Sequence, residues 1–413
     1  MKILYCVRLF SGMQSSLQSG VWTPTGVPTI FKMVEALDRG PDRLRVLFVD
    51  KDAGGPFAGI GRAERPLKGL ATVPRLFGGR PHRTDFWRKI SFIHRELLHI
   101  FYALSEFYRF RPDLVYLDHA NVLLGGVLAR LTRRPVVFRI MGVYPVMRQA
   151  LDSRRPILRL FRWCYRAPYA LAVCTQDGSG VEPWLDRALD RRVPRRLLIN
   201  GFDPAPATDA VDARLRLPAD RTTVMFLGKL EPAKGIVPFI DAMIAASRTQ
   251  PGRLYGLVVG AGSQRESQIA RVAAAGLADD FTFIERLPHP QVASALRQAD
   301  IYVSLNRLGN LSNANLEAMC AGCCMIIPRA QPEIGVDVAT EEILPPDAAL
   351  RIASADDVDG LAQAILRLSD APQERQAMGE KAAAAARRHI GTWDERVNTE
   401  IRLLREIAER HGN

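Results

Sequence analysis

The chain has 413 residues, 47% of them hydrophobic and 24% charged. That is too long for one compact core and ordinary for a globular protein, so two domains of about 200 residues each are expected. No apolar run reaches the roughly 18 residues that a membrane span needs, and six cysteines in a chain of this length argue against a disulfide scaffold and for a reducing, cytoplasmic setting. Charge is uneven. Residues 1–206 hold 33 Lys+Arg against 17 Asp+Glu, whereas residues 207–413 hold 23 against 27. The basic first half points to an anionic partner such as a membrane surface or a phosphorylated substrate; arginine outnumbers lysine throughout, so an arginine-rich background is the simpler alternative. Nucleic acid is not expected, because no recognised binding module accompanies the charge.

In chain order, "KILYCVRLF" reads as a buried first strand and not a signal peptide, since no small-residue cleavage site follows. A Gly/Ser/Pro loop and the helix "GVPTIFKMVEAL" come next, then the strand "RVLFVD". Residues 86–112 form a long helix with interleaved aromatic and basic residues, and 147–166 read the same way. Both have the composition of helices that lie on an anionic membrane, or that bury an apolar stripe on a sheet and leave their arginines in water. "DLVYLD", "PVVFRIM", "YALAVC" and "RRLLING" are short β-branched runs, each of the first three followed by a helical stretch. A Pro/Ala/Asp-rich linker, "FDPAPATDAVDARLRLPADRTT", precedes a restart of the pattern: "VMFLGKL", "LYGLVVGAG", "FTFIERL", "IYVSLN" and "CMIIP", with helices between. Three further helices close the chain, the last beginning near Trp393. Such alternation predicts an α/β fold of two doubly wound Rossmann-like domains. We expect boundaries of 1–203 and 204–392, with helix 393–413 returning to the first domain. Ligands of such sheets bind at the carboxyl ends of the strands, here in a cleft between two facing domains.

The chemistry concentrates in the second half. "FLGKLEPAKG" is a strand ending at Gly228, where a ligand can approach the backbone, followed by Lys229 and Lys234 near a helix start. Two lysines there can hold a diphosphate, or be ordinary surface lysines. "GNLSNANLEAMCAG" supplies another helix start: Ser312 or Asn313 can cap it, and the N–H groups of Leu311, Ser312 and Asn313 then make an anion site. Glu317, one turn inside that helix, can accept hydrogen bonds from a ribose diol, or be a favourable charge near a helix start. In the first half, Arg139 can reach phosphates or an acceptor, or form a structural ion pair. His119 and Asp177 follow strands and can contact an acceptor; a plain loop histidine and a helix N-cap are the simpler roles. Cys320 and Cys323 have CxxC spacing without a second pair, so buried packing is expected and no metal. The Asp-x-Asp spacings at 50–52 and 357–359 are read as incidental.

The order "LGKLEPAKG", "VVGAGS", "ERLPH", "NLSNANLEAMCAG" and "MIIP", with "INGFD" closing the first half and "TGVPTIFKMVEAL" near its start, resembles the retaining GT-B glycosyltransferases of the family-4 type over essentially the whole chain. The resemblance implies transfer of a sugar from a nucleotide-sugar to an acceptor hydroxyl, with retention and without a cofactor, the nucleotide-sugar being a substrate. It implies that Lys229 and Lys234 bind the diphosphate, that Glu317 holds the ribose, that the backbone at Arg286 and Leu287 meets the base, and that Gly26 lies near the phosphates. With lysines carrying that charge, no divalent metal is required. The pattern departs at two positions, Gly309 for a glutamate and Met141 for a histidine; Asn310, Asn313 or Asn315 can supply sugar contacts instead. The basic first domain suggests a glycan or lipid-linked acceptor at the inner face of a membrane. Alternative readings are a catalytically silent GT-B partner subunit and another GT-B chemistry, such as an epimerase or a phosphorylase.

Overall fold

The computed structural model describes residues 1–413 except 52–54, 79–84, 205–214, 216 and 413, and leaves the side chains of 11, 85–91 and 412 aside. The chain divides into two units. Unit 1 comprises Met1–Thr175, Glu182–Leu198 and Trp393–Asn413, and unit 2 comprises Gln176–Val181 and Ile199–Thr392. The division therefore falls at 198/199 and not 203/204, and the loop 176–181 goes with unit 2.

Among the described residues, unit 1 is built on eight strands: β1 (Lys2–Arg8), β2 (Arg43–Asp50), β3 (Gly61–Glu64), β4 (Arg75–Gly78), β5 (Leu114–Asp118), β6 (Val136–Ile140), β7 (Leu171–Thr175) and β8 (Arg195–Leu198). They lie in the order β3-β4-β2-β1-β5-β6-β7-β8. All neighbours are parallel except β3 on β4. Every residue of β5, β6 and β7 is buried, as expected where helices cover both faces of a parallel sheet. The helix Pro28–Arg39 starts with a proline, whose fixed φ suits a first turn. It turns Ile30, Met33, Val34 and Leu37, at helical spacing, into the core with Ile3, Tyr5 and Val7. The helix Trp393–Gly412 adds Val397, Ile401 and Leu404 to the same core. It also anchors by charge: Glu400 meets the Arg139 guanidinium of β6 at 3.0 Å, and Arg405 meets Asp42 at 2.8 Å.

Unit 2 carries β9 (Thr222–Leu227), β10 (Leu254–Val259), β11 (Phe281–Ile284), β12 (Ile301–Val303), β13 (Cys324–Pro328) and β14 (Ala349–Ile352), all parallel, in the order β11-β10-β9-β12-β13-β14. The chain runs outward from β9 to β11 and then returns to the other side of β9. This reversal is the switch point at which open α/β sheets bind ligands.

Three features differ from the sequence reading. Residues 11–19 are a helix and not a loop; their serines and glutamines carry almost no apolar stripe. The short strands β3, β4 and β14 are new, with four residues each. The stretch 147–166 is two helices, Pro145–Asp152 and Pro156–Tyr165; Pro156 disfavours the helical conformation at the residue before it. Half of the expected linker, residues 205–214 and 216, lies outside the described residues.

Candidate active site

Three turns at the carboxyl ends of β9, β10 and β12 build a site in unit 2. The first starts at Gly228 (φ +150°), whose N–H donates to Val259 O at 3.0 Å, while the N–H of Leu230 donates to Ala261 O at 2.9 Å. These bonds sew it to the turn after β10. A Cβ on Gly260 would lie 1.8 Å from Gly228 O, so a glycine is what lets the two backbones touch. Glu231 ties the turns further by accepting from the Ser263 N–H and hydroxyl at 2.9 and 2.6 Å. Gly235 (φ +79°) then starts the helix Ile236–Thr249, and a Cβ there would come within 2.3 Å of Leu305 Cβ. The chain beyond β12 is thereby drawn to the same place, with the Arg307 N–H on Ala233 O at 3.1 Å. Lys229 is exposed and Lys234 half-buried. Burial pushes the Lys234 ammonium down; nearby Asp177 offsets part of this, and Lys229 adds to it.

The third turn explains the glycine at 309. Gly309 has φ +118°, and a Cβ on it would stand 2.4 Å from Gly178 C and 2.5 Å from Ser179 N. A glutamate cannot occupy this position, because the loop 176–181 fills the space. That loop is held by the Leu311 N–H on Asp177 O at 3.1 Å and the Asp337 N–H on Gly178 O at 2.7 Å. Asp337 is 2% exposed and adopts φ +59°. It accepts from the Asn310 N–H and Nδ2, both at 2.6 Å, and from the Thr340 hydroxyl at 2.7 Å. Burial nevertheless raises its carboxyl to about 6.

Several assigned roles change. The asparagines are structural. Asn310 Oδ1 accepts from Ser304 at 2.7 Å, Asn315 Nδ2 donates to Asn310 O at 3.0 Å, and Asn315 Oδ1 accepts from Tyr302 at 3.0 Å. Asn310 and Asn315 are each 1% exposed, so neither meets a sugar; Asn313 Oδ1 accepts from Asn200 at 2.7 Å. Ser312 stands at the N-cap position of the helix Asn313–Ala321, but its hydroxyl donates to Asn315 Oδ1 at 3.1 Å and makes no cap bond. The Leu311 amide is committed to Asp177 O, whereas the amides of the helix's first turn have no partners inside the helix. Asp177 is not an N-cap. Its Oδ1 accepts from the Ser179 N–H at 3.0 Å and from the Ser179 hydroxyl, and it belongs to unit 2, near Lys234. Burial raises its carboxyl, partly opposed by those bonds.

Arg139 is removed from the catalytic set. It is 1% exposed, paired with Glu400 at 3.0 Å and bonded to Ile140 O and to Thr175 Oγ1, at 2.9 and 2.8 Å. His119 Nε2 lies 2.8 Å from the Tyr165 hydroxyl in unit 1, and burial, then Lys51, lower it to about 4, so its ring is neutral near pH 7 and a poor base. Gly26 (φ +98°) forms a turn of unit 1 ahead of the helix Pro28–Arg39. Asp357 caps the helix Val358–Ser369 by accepting from the Gly360 N–H at 2.9 Å, and Asp52 lies outside the described residues. Cys320 and Cys323 are free thiols, and the Cys323 Sγ donates to Leu296 O at 3.2 Å.

Glu317 is half-exposed, with Oε1 3.4 Å from His289 Nε2. Both border a cavity of about 430 Å³ that Phe202, Arg297 and Ile390 also line. Arg286 is exposed beside the strand end of β11, and Leu287 is buried. Sequence reasoning missed His289 and Asp337. The proline-flanked "PHP" at a helix start was a signal for the first; nothing local marked the second, whose partner Asn310 lies 27 residues away.

Residues 208–385 match the model of a family described as glycosyl transferases group 1. The chain is 29% identical over 313 residues to a 2-deoxystreptamine N-acetyl-D-glucosaminyltransferase of Streptomyces fradiae, covering 70% of each. It is 29% identical over 203 residues to a phosphatidyl-myo-inositol mannosyltransferase of Mycolicibacterium smegmatis, spanning about half of each chain (49% and 48%). Among solved structures, a sucrose-phosphate synthase from Thermosynechococcus elongatus matches with a TM-score of 0.71 at 16% identity, over 98% of both chains. The Anabaena protein HepE, in complex with UDP and glucose, matches with a TM-score of 0.64 at 16% identity, over 97% of this chain and 98% of that one. These structural likenesses show the fold. The strand-end glycine turns, the paired lysines and the sheet order agree with that match; the chain has the GT-B fold and resembles the group 1 glycosyltransferases over residues 208–385.

Proposed function

We propose that unit 2 holds a nucleotide-diphosphate sugar with its diphosphate at Lys229, Lys234 and the first-turn amides of the helix Asn313–Ala321, and its ribose on Glu317. The observation that carries this reading is the half-buried Lys234, set between two close-packed glycine turns at the switch point of the sheet. Transfer to an acceptor hydroxyl proceeds with retention. The step is limited by the charge that develops on the departing diphosphate, and fixed ammonium groups and helix amides stabilise it more in the transition state than in the ground state. The lysines do this without a divalent metal.

We further place the acceptor at the cytoplasmic face of an anionic membrane, as a lipid-linked hydroxyl. Among the described residues no helix is long and apolar enough to cross a membrane. Support comes from helices Asp85–Phe110 and Pro156–Tyr165 of unit 1, which expose Leu97, Phe101, Leu160 and Trp163 beside exposed arginines. Free cysteines agree with a reducing compartment.

Thermal-shift measurements with UDP, GDP, ADP and their sugars test the donor assignment, since a ligand of the folded state raises its melting temperature by mass action. One of the three nucleotides is expected to stabilise the chain, and Glu317→Ala to remove most of that shift. An unchanged shift in the variant would refute the ribose assignment. Binding without turnover of any donor would favour a silent subunit.

A further inference from the structure

Unit 1 contains a cavity of about 420 Å³, within the usual span of small-molecule sites, roughly 300–1,000 Å³. It opens at the carboxyl ends of β1, β2, β5 and β6, next to Phe10, Lys51, His119 and Met141. Its other walls are Phe92, Leu123, Val146 and Phe161, from four helices. Of its charged and polar lining groups, Lys51, Glu96, His119 and Tyr165 are engaged, and the Arg8 guanidinium borders it 5.9 Å from the Phe10 ring. Lys51 Nζ donates to Glu96 Oε2 at 3.0 Å and to Ala120 O, and His119 pairs with the Tyr165 hydroxyl. A polyhydroxylated ligand would give up its water there and find few partners in exchange. An apolar chain would not.

The rim of this cavity runs into an exposed apolar face. Tyr144 and Val146 line the cavity yet are 49% and 47% exposed. On the helix Pro156–Tyr165, Ile157, Leu160 and Trp163 stand three residues apart and in water. The Arg130 guanidinium covers the Trp163 ring at 3.6 Å. Apart from the buried Arg139, residues 130–166 hold nine arginines against one acidic residue, Asp152. Apolar side chains interleaved with arginine complement an anionic bilayer.

We propose that the unit 1 cavity holds a segment of the hydrocarbon chain of an anionic membrane lipid, received across the arginine-rimmed apolar face; resting on the transferase reading above, this lipid is the acceptor. The probe is dodecyl phosphate below its micelle concentration, titrated calorimetrically into the full chain. We expect saturable binding that inorganic phosphate does not displace, and about tenfold weaker binding by Val146→Gln, which removes apolar surface at the half-exposed rim without disturbing the core. Leu160→Gln/Trp163→Gln is expected to lower co-sedimentation with phosphatidylglycerol vesicles several-fold while leaving dodecyl phosphate affinity in solution intact. No binding of the probe, displacement by inorganic phosphate, or equal affinity in Val146→Gln would each overturn the cavity assignment. A nucleotide shift in the wild-type chain together with any of these leaves the donor reading standing. Probe binding without any nucleotide shift fails the donor reading alone.

Discussion

Lys234→Ala is expected to reduce turnover of the nucleotide-sugar by about 10²- to 10³-fold, the usual cost of deleting one preorganised group that meets developing negative charge. Three observations set that size. The ammonium is half-buried, so water screens it weakly. Its position is fixed by the close approach of Gly235 to Leu305, which leaves the turn little room to shift. The neighbouring Asp177 keeps an opposite charge beside it, which favours the protonated form against burial. Lys229 is exposed, and its alanine variant should lose about tenfold or less. The measurement is kcat for the wild-type and variant chains, with affinities for the nucleoside and the nucleoside diphosphate. Lys234→Ala should weaken the diphosphate far more than the nucleoside. Equal losses for the two ligands would show that the lysine does not meet the phosphates.

Glu400→Ala is expected to destabilise unit 1 by about 3–5 kcal/mol, the range for removing one partner of a buried ion pair. Arg139 and Glu400 are each 1% exposed, and Arg396, also buried, shares the same carboxylate. The Tyr116 hydroxyl donates to it as well. Burial would raise the Glu400 carboxyl, but Arg139 and then Arg396 outweigh that and hold it below its ordinary 4.5. A depressed carboxylate stabilises the fold fully above its unfolded value. That contribution fades as the pH falls below 4.5 and through the lower folded value. Urea unfolding of the variant should therefore show its largest deficit near pH 7 and a smaller one in acid. Arg139→Met/Arg396→Met/Glu400→Leu, which removes all three charges, should cost much less than the single change. If the triple variant is no more stable than Glu400→Ala, the uncompensated charge is not the cause.

The alternation of strand and helix was legible because burial on both faces writes long apolar runs into β5, β6 and β7, and nearly the same into β9 and β10. The four-residue β3 and β14 lacked that signal; they alternate or sit at an edge, where half of each residue set faces water. In the candidate site, Gly228, Lys229, Lys234 and Glu317 stood out because a glycine turn, two ammonium groups and a carboxylate gather at strand-to-helix junctions. The asparagines misled for a physical reason. An amide beside a helix start serves a ligand and a buried network equally well, and the partners that decide between them, Asp337, Tyr302 and Asn200, are remote in sequence or patternless. Arg139 misled in the same way, since Glu400 lies 261 positions downstream.

The return of helix Trp393–Gly412 to unit 1 sets an order of events on the ribosome. Residues 199–392 and the loop 176–181 have all been made before this helix appears, so unit 2 can close first. The eight-stranded sheet, although synthesised earlier, waits with Arg139 facing no carboxylate and Ile3, Tyr5 and Val7 under an unfinished cover. Domains usually complete themselves in the order of their synthesis; here the first begun is the last finished. Premature termination near residue 392 would therefore spoil the older half of the molecule and spare the younger.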